Sequence, residues 1–99
     1  MHLSVSAVIS DHQNSPYFVY ILRCGDGTLY TGITRNVEKR LAEHNDSPKG
    51  AKYTRSRRPL TLVYREPCRD KSCALKREKA IKKMTRPQKE AFLESSKQI

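Results

Sequence analysis

Glu78 lies on a helical run where a projection at 100° per residue sets it between Ala74 and Leu75, with Ile81 on the same arc. A carboxylate therefore stands where the helix should meet its core. Burying it unpaired is costly, so the position calls for a cation, either a basic side chain in a structural salt bridge or a metal ion. Upstream, Arg40 and His44 are one helical turn apart on the arc that holds Val37 and Leu41. They read as two inward cations, or as a snorkelling arginine and a hydrogen-bonded histidine. Tyr30 and Gly32 alternate onto one face of a strand, and glycine inside a strand often marks close backbone approach by a ligand. A hairpin would bring Tyr20 beside Tyr30, which plain cross-strand aromatic packing also explains.

Together these side chains are the parts that phosphodiester hydrolysis needs. A hard divalent cation on Glu78 would neutralise phosphate charge and activate water, and the Arg40 fork would stabilise the transition state. A phenol or imidazole from Tyr20, Tyr30 or His44 would move the proton.

The elements that must hold these groups follow from the pattern of the chain. Tyr17 to Leu22 is apolar or aromatic without alternation, which predicts a strand covered on both faces. The turn residues Cys24-Gly25-Asp26-Gly27 and the β-rich run Thr28 to Ile33 predict a hairpin. Asn36 is a candidate N-cap for a helix through Val37, Leu41 and His44 that stops at Asn45-Asp46-Ser47-Pro48. Residues 49–59 are polar, basic and aperiodic, so an exposed loop is expected there. Leu60, Leu62 and Tyr64 alternate with Thr61, Val63 and Arg65 as a third strand with two different faces. A helix is predicted from about Asp70 to Met84, and Thr85 with Gln88 forms a capping box for a last helix running to about Ser95. The order is β-β-α-β-α-α, an α+β class with a small sheet and about three helices around it.

The 99 residues allow one domain, expected over 16–95, with a tail over 1–15 and a frayed end over 96–99. Twenty Lys and Arg against ten Asp and Glu leave a formal charge of +10, a potential that gathers polyanions, nucleic acid first among them. The basic residues do not form one helix face opposite Trp and Phe, and no run is long enough to span a bilayer, so no membrane partner is expected. Cys24, Cys68 and Cys73 contain no Cys-x-x-Cys pair, and with His44 their spacing fits no familiar zinc pattern, so reduced thiols in a cytoplasmic protein are expected.

The sequence resembles the GIY-YIG nuclease family. Phe18-Val19-Tyr20 matches its first motif in the final Tyr and the aliphatic before it, and Tyr30-Thr31-Gly32 matches the second. Arg40, ten residues past the second tyrosine, falls at the family's catalytic Arg, His44 where members carry His or Tyr, and Glu78 at its metal-binding Glu. The match covers Tyr17 to about Phe92, and the Gly50-Ala51-Lys52-Tyr53-Thr54 and Ala80-Ile81-Lys82-Lys83 segments are similar to the small stand-alone YhbQ-like bacterial group.

That resemblance implies a three-stranded antiparallel sheet with its first strand central. It also implies a metal-dependent nuclease with one Mg²⁺ or Mn²⁺ on Glu78, Arg40 on the phosphate, Tyr30 as proton acceptor, and Tyr20 and His44 orienting water or substrate. A structure- or end-selective action on DNA, favoured over RNA, and a place in DNA repair or damage response are the implied role. Two positions depart from the repair-endonuclease branch: Ile33 stands where that branch has a Lys, and its Asn in the helix after the Glu has no clear match near Glu90. Lys52, Tyr53, Arg55, Arg57 and Arg58 are the candidates for gripping the backbone, with Tyr53 able to stack on an unpaired base. The alternative is a non-catalytic DNA- or RNA-binding module that retains a degenerate site. Either would be a monomer or a weak homodimer.

Overall fold

A computed structural model describes residues 16–96. The expected tail over 1–15 and the last three residues of the expected frayed end lie outside that range. Within it the chain runs β1 (Tyr17–Arg23), β2 (Leu29–Thr34), α1 (Val37–Asp46), α2 (Lys52–Arg55), β3 (Thr61–Cys68), α3 (Lys71–Lys82) and α4 (Arg86–Ser96). The three strands form one antiparallel sheet in the order β2-β1-β3.

The non-alternating apolar run of β1 has its cause in this central place. Val19 and Ile21 face Ala74 and Ile81 of α3 and Leu93 of α4, whereas Tyr20 and Leu22 face Val37 of α1 and Leu60. All of these side chains are buried, so two thin cores share one strand. The register pairs Tyr20 with Gly32 and Leu22 with Tyr30, which puts all four on the α1 side of the sheet.

The caps legible in the sequence form as expected. Asn36 accepts a hydrogen bond from Lys39 N at 3.0 Å, while Asp70, expected only as the start of its helix, caps it by accepting from Cys73 N at 2.9 Å. In the capping box, Gln88 Oε1 receives Thr85 N–H at 2.8 Å while Thr85 Oγ1 receives Gln88 N–H at 3.3 Å.

Four expectations need correction. The segment over 49–59 is not simply an exposed loop, because Ala51 O accepts from both Thr54 N and Arg55 N and closes the one-turn helix α2, with Thr54 fully buried. A single turn is too short to show a period. The third strand starts at Thr61, after the buried Leu60, and runs on through Pro67 to Cys68. Pro is tolerated because β3 is an edge strand, free of a partner on one side. On α3, which ends at Lys82 rather than Met84, Ala74, Glu78 and Ile81 form the inward stripe while Leu75 is 45% exposed. Finally, α4 continues through Ser96.

Candidate active site

The Tyr20 phenol crosses β2 directly over Gly32. A Cβ at Gly32 would lie 2.6 Å from Tyr20 Oη and 2.7 Å from Cζ, so the bare backbone is needed by this chain's own ring. The space at Gly32, expected to admit a ligand, is taken up by the Tyr20 ring. Held there, Tyr20 Oη meets His44 Nε2 at 2.9 Å. The His44 ring lies edge-on to Tyr30, with centroids 5.2 Å apart, and the Tyr20 and Tyr30 rings are 6.4 Å apart. Two strands and one helix thus place three proton-carrying rings in a triangle.

Two charged groups reach the same place. Burial, with the neighbouring Tyr30 phenol, pushes the Tyr20 hydroxyl up to about 12, the Arg40 guanidinium beside it acts the other way, and the Glu78 carboxylate adds to the rise. Arg40 and Glu78, thirty-eight positions apart in sequence, therefore both act on one hydroxyl. Burial, reinforced by Arg40, presses the His44 imidazole down to about 4, so at neutral pH it is uncharged. The reading of His44 as an inward cation gives way to a neutral, hydrogen-bonded ring.

Arg40 Nη1 donates to Glu43 Oε1 at 2.8 Å and to Lys49 O at 2.9 Å. These two bonds brace the guanidinium from one end. Glu78 has a side chain 18% exposed, and its ion-pair partner among the described residues is Lys82, at 3.3 Å and one turn on. No group of three or more His, Cys, Asp or Glu side chains among the described residues is placed to hold a metal ion. A single half-buried carboxylate fits a hard ion that keeps water and takes substrate phosphate oxygens as its other ligands. It does not fit a closed zinc cage.

The rings are flanked by two grooves with basic walls. One, of about 270 Å³, runs beside the β2 edge and is lined by Leu29, Tyr30, Thr31, Tyr53, Lys82 and Lys89. The other, of about 220 Å³, lies against the start of α1, where Arg35, Lys39 and Arg40 share the wall with Glu43. Tyr30 opens to the first groove and Arg40 to the second.

The basic segment contributes unevenly. Tyr53 is 41% exposed and stacks on Tyr30 with an interplanar angle of 29°, and the Arg57 guanidinium caps its ring at 3.9 Å. Arg57 also donates to Tyr53 O at 2.8 Å and pairs with Asp26 at 3.1 Å. Arg58 donates to His44 O and Ser47 O, both at 2.7 Å, which ties it to the carbonyl end of α1. Lys52 and Arg55 are exposed. Lys82, which the sequence shows only as one of several helix lysines, lines the groove beside Tyr30 together with Lys89. Only the position of β2 against α3 and α4 reveals that. Thr54, whose hydroxyl lies 2.8 Å from His44 Nδ1, was likewise hidden in a polar run without period.

Residues 16–91 match the model of the GIY-YIG catalytic domain. A UPF0213 protein of Desulfotalea psychrophila is 60% identical over 80 residues, covering 81% of this chain and 73% of its own. A UPF0213 protein of Staphylococcus haemolyticus is 53% identical over 78 residues, covering 79% of this chain and 94% of its own. The solution structure of a protein from E. faecalis superposes with a TM-score of 0.57 at 42% identity, over 82% of this chain and 85% of that one. That of a UPF0213 protein from Bacillus halodurans gives a TM-score of 0.53 at the same 42% identity, over 80% and 83%.

Proposed function

Since the chain belongs to the GIY-YIG catalytic-domain family, and within it to the UPF0213 proteins, we propose that it is a metal-dependent nuclease that hydrolyses phosphodiester bonds in nucleic acid, DNA before RNA. The observation that carries this reading is the convergence around the Tyr20 hydroxyl of His44 and Arg40 from α1, Tyr30 from β2 and Glu78 from α3.

The roles divide by burial and charge. Tyr20 is 2% exposed and its hydroxyl is pushed up to about 12, so it stays a phenol and serves as a hydrogen-bonding post. Tyr30 is only half-buried and lines the open groove, where it can release its own proton to solvent and then take the proton of the attacking water on the bared oxygen. Arg40 holds a non-bridging phosphate oxygen through the N–H groups not used on Glu43 and Lys49. His44, neutral, fixes the Tyr20 hydroxyl. Glu78 would hold one Mg²⁺ or Mn²⁺, which supplies charge neutralisation at the phosphate and a more acidic water. Ile33, half-buried on the opposite face of β2, brings no charge to this site. Lys82 and Lys89 draw the strand along the β2 edge, and Tyr53, 41% exposed, stacks on a base that displaces the Arg57 guanidinium from its ring. Selection by strand structure or by ends is the expected mode, since basic side chains read backbone charge and carry little base information.

The test is cleavage of end-labelled single-stranded, duplex and branched DNA with Mg²⁺, with Mn²⁺ and with chelator. Glu78→Ala and Tyr30→Phe are expected to lose metal-dependent cutting by at least about 100-fold while retaining binding. Binding without cutting on every substrate would leave a non-catalytic nucleic-acid-binding module in its place.

A further inference from the structure

His44 is completely buried, and so is Thr54, a polar side chain on the one-turn helix α2. Their contact, Nδ1 to Oγ1 at 2.8 Å, joins the ring nitrogen that points away from Tyr20 to a hydroxyl with one proton to give. That proton has a use nearby, since Thr54 Oγ1 donates to Ala51 O at 2.9 Å within its own turn. The hydroxyl then faces His44 as an acceptor, and a neutral ring meets it with Nδ1–H. Nε2 is left bare, with the Tyr20 hydroxyl 2.9 Å away as its donor. Ala51 N–H also points at Nδ1, at 3.4 Å, and would favour the opposite tautomer. It is the longest contact of the set and the weakest.

Two further features hold the Thr54 segment against the end of α1. A Cβ at Gly50 would stand 2.9 Å from Glu43 O and 3.0 Å from His44 Cα, so only glycine lets this segment fold against the end of α1. Arg58 ties the same region down from the other side through His44 O.

We propose that Thr54 is a positioning residue, which holds His44 in its Nδ1–H form so that Tyr20 must donate its proton to Nε2 and keep its oxygen lone pairs free to accept. Those lone pairs then face the Arg40 guanidinium beside the hydroxyl, and Arg40, which lines the groove at the start of α1, is held with its free N–H groups toward the phosphate. No proton leaves Tyr20 and no bond is made or broken there. The inference rests on the nuclease reading for its effect on rate, and on geometry alone for its effect on His44.

The experiment is ¹⁵N NMR of histidine-labelled protein, run beside cleavage assays on wild type, Thr54→Val and Thr54→Ser. In wild type the His44 ring is expected to show a protonated Nδ1 and a bare Nε2. Thr54→Val should mix the tautomers and slow kcat roughly 10–100-fold with affinity for nucleic acid unchanged, and Thr54→Ser should restore both. A wild-type ring protonated on Nε2, or a Thr54→Val variant that keeps tautomer and rate, would overturn the proposal. If no variant and no wild type cuts any substrate, the nuclease reading fails by itself, and the NMR result still decides what Thr54 does to His44.

Discussion

The Tyr20–His44 pair stores two opposite dependences on pH. His44 has its folded value lowered to about 4, so between the ordinary imidazole value and that point the unfolded chain takes up a proton that the folded one refuses. Stability is fully present above about pH 6.5 and falls as the pH is lowered toward 4. Tyr20 has its folded value raised to about 12, so the folded chain keeps a proton that the unfolded one releases, and stability falls as the pH rises from 10 to 12. Urea unfolding across pH should show an acid limb of roughly 2–3 kcal/mol that is flattened in His44→Phe, and a limb absent from wild type would refute burial of a neutral ring. At Gly32 the outcome is steric. Gly32→Ala sets a methyl 2.6 Å from Tyr20 Oη, the buried ring has nowhere to go, and a loss of about 1–3 kcal/mol with collapse of the Tyr20–His44 bond should follow. Thermal melts and loss of cleavage would report it together.

Among the elements, α3 offers the sharpest check on which face is inward. Ile81→Ala should cost about 2–5 kcal/mol, since the side chain is wholly buried, while Leu75→Glu should change stability by less than about 0.5 kcal/mol. Equal costs would mean that the helix is rotated. The sequence made β1 legible because a central strand must be apolar on both faces, and it made the caps at Asn36 and Thr85 legible because their chemistry is local. Arg40, His44 and Glu78 were visible as residues out of keeping with their faces, whereas Tyr20 and Tyr30, which plain cross-strand packing also explained, stood out through Gly32 and the family resemblance. Leu75 misled because composition, read at 100° per residue, cannot tell a stripe's edge from solvent. The role of Thr54 could not be read, since a buried threonine in a basic run differs from an exposed one only in what packs on it. Lys82 and Lys89 belong together through the packing of α3 and α4 beside β2, which is a tertiary fact.

For the molecule as a whole, a charge of +10 on 99 residues makes affinity for nucleic acid an electrolyte effect before it is anything else. The logarithm of the association constant should fall linearly with the logarithm of salt concentration. Replacing Lys82 or Lys89 by Ala should each reduce that slope by about 1, and Lys52→Ala should do the same if the exposed end of α2 also meets the backbone. Slopes unchanged in Lys82→Ala and Lys89→Ala would remove the β2-edge groove from the binding path. Among the described residues no helix is long and apolar enough to cross a membrane.

The clustering of Tyr20, Tyr30 and Tyr53 has an optical consequence. The chain has five tyrosines and no tryptophan, so its ultraviolet emission is tyrosine emission, undimmed by transfer to an indole. Three of the five emitters sit within one site, with Tyr30 in ring contact with the other two, and the outermost, Tyr53, is the exposed one. A strand laid on it would quench the outermost fluorophore first, so the unmodified protein carries a label-free reporter of occupancy at the place where its chemistry is expected.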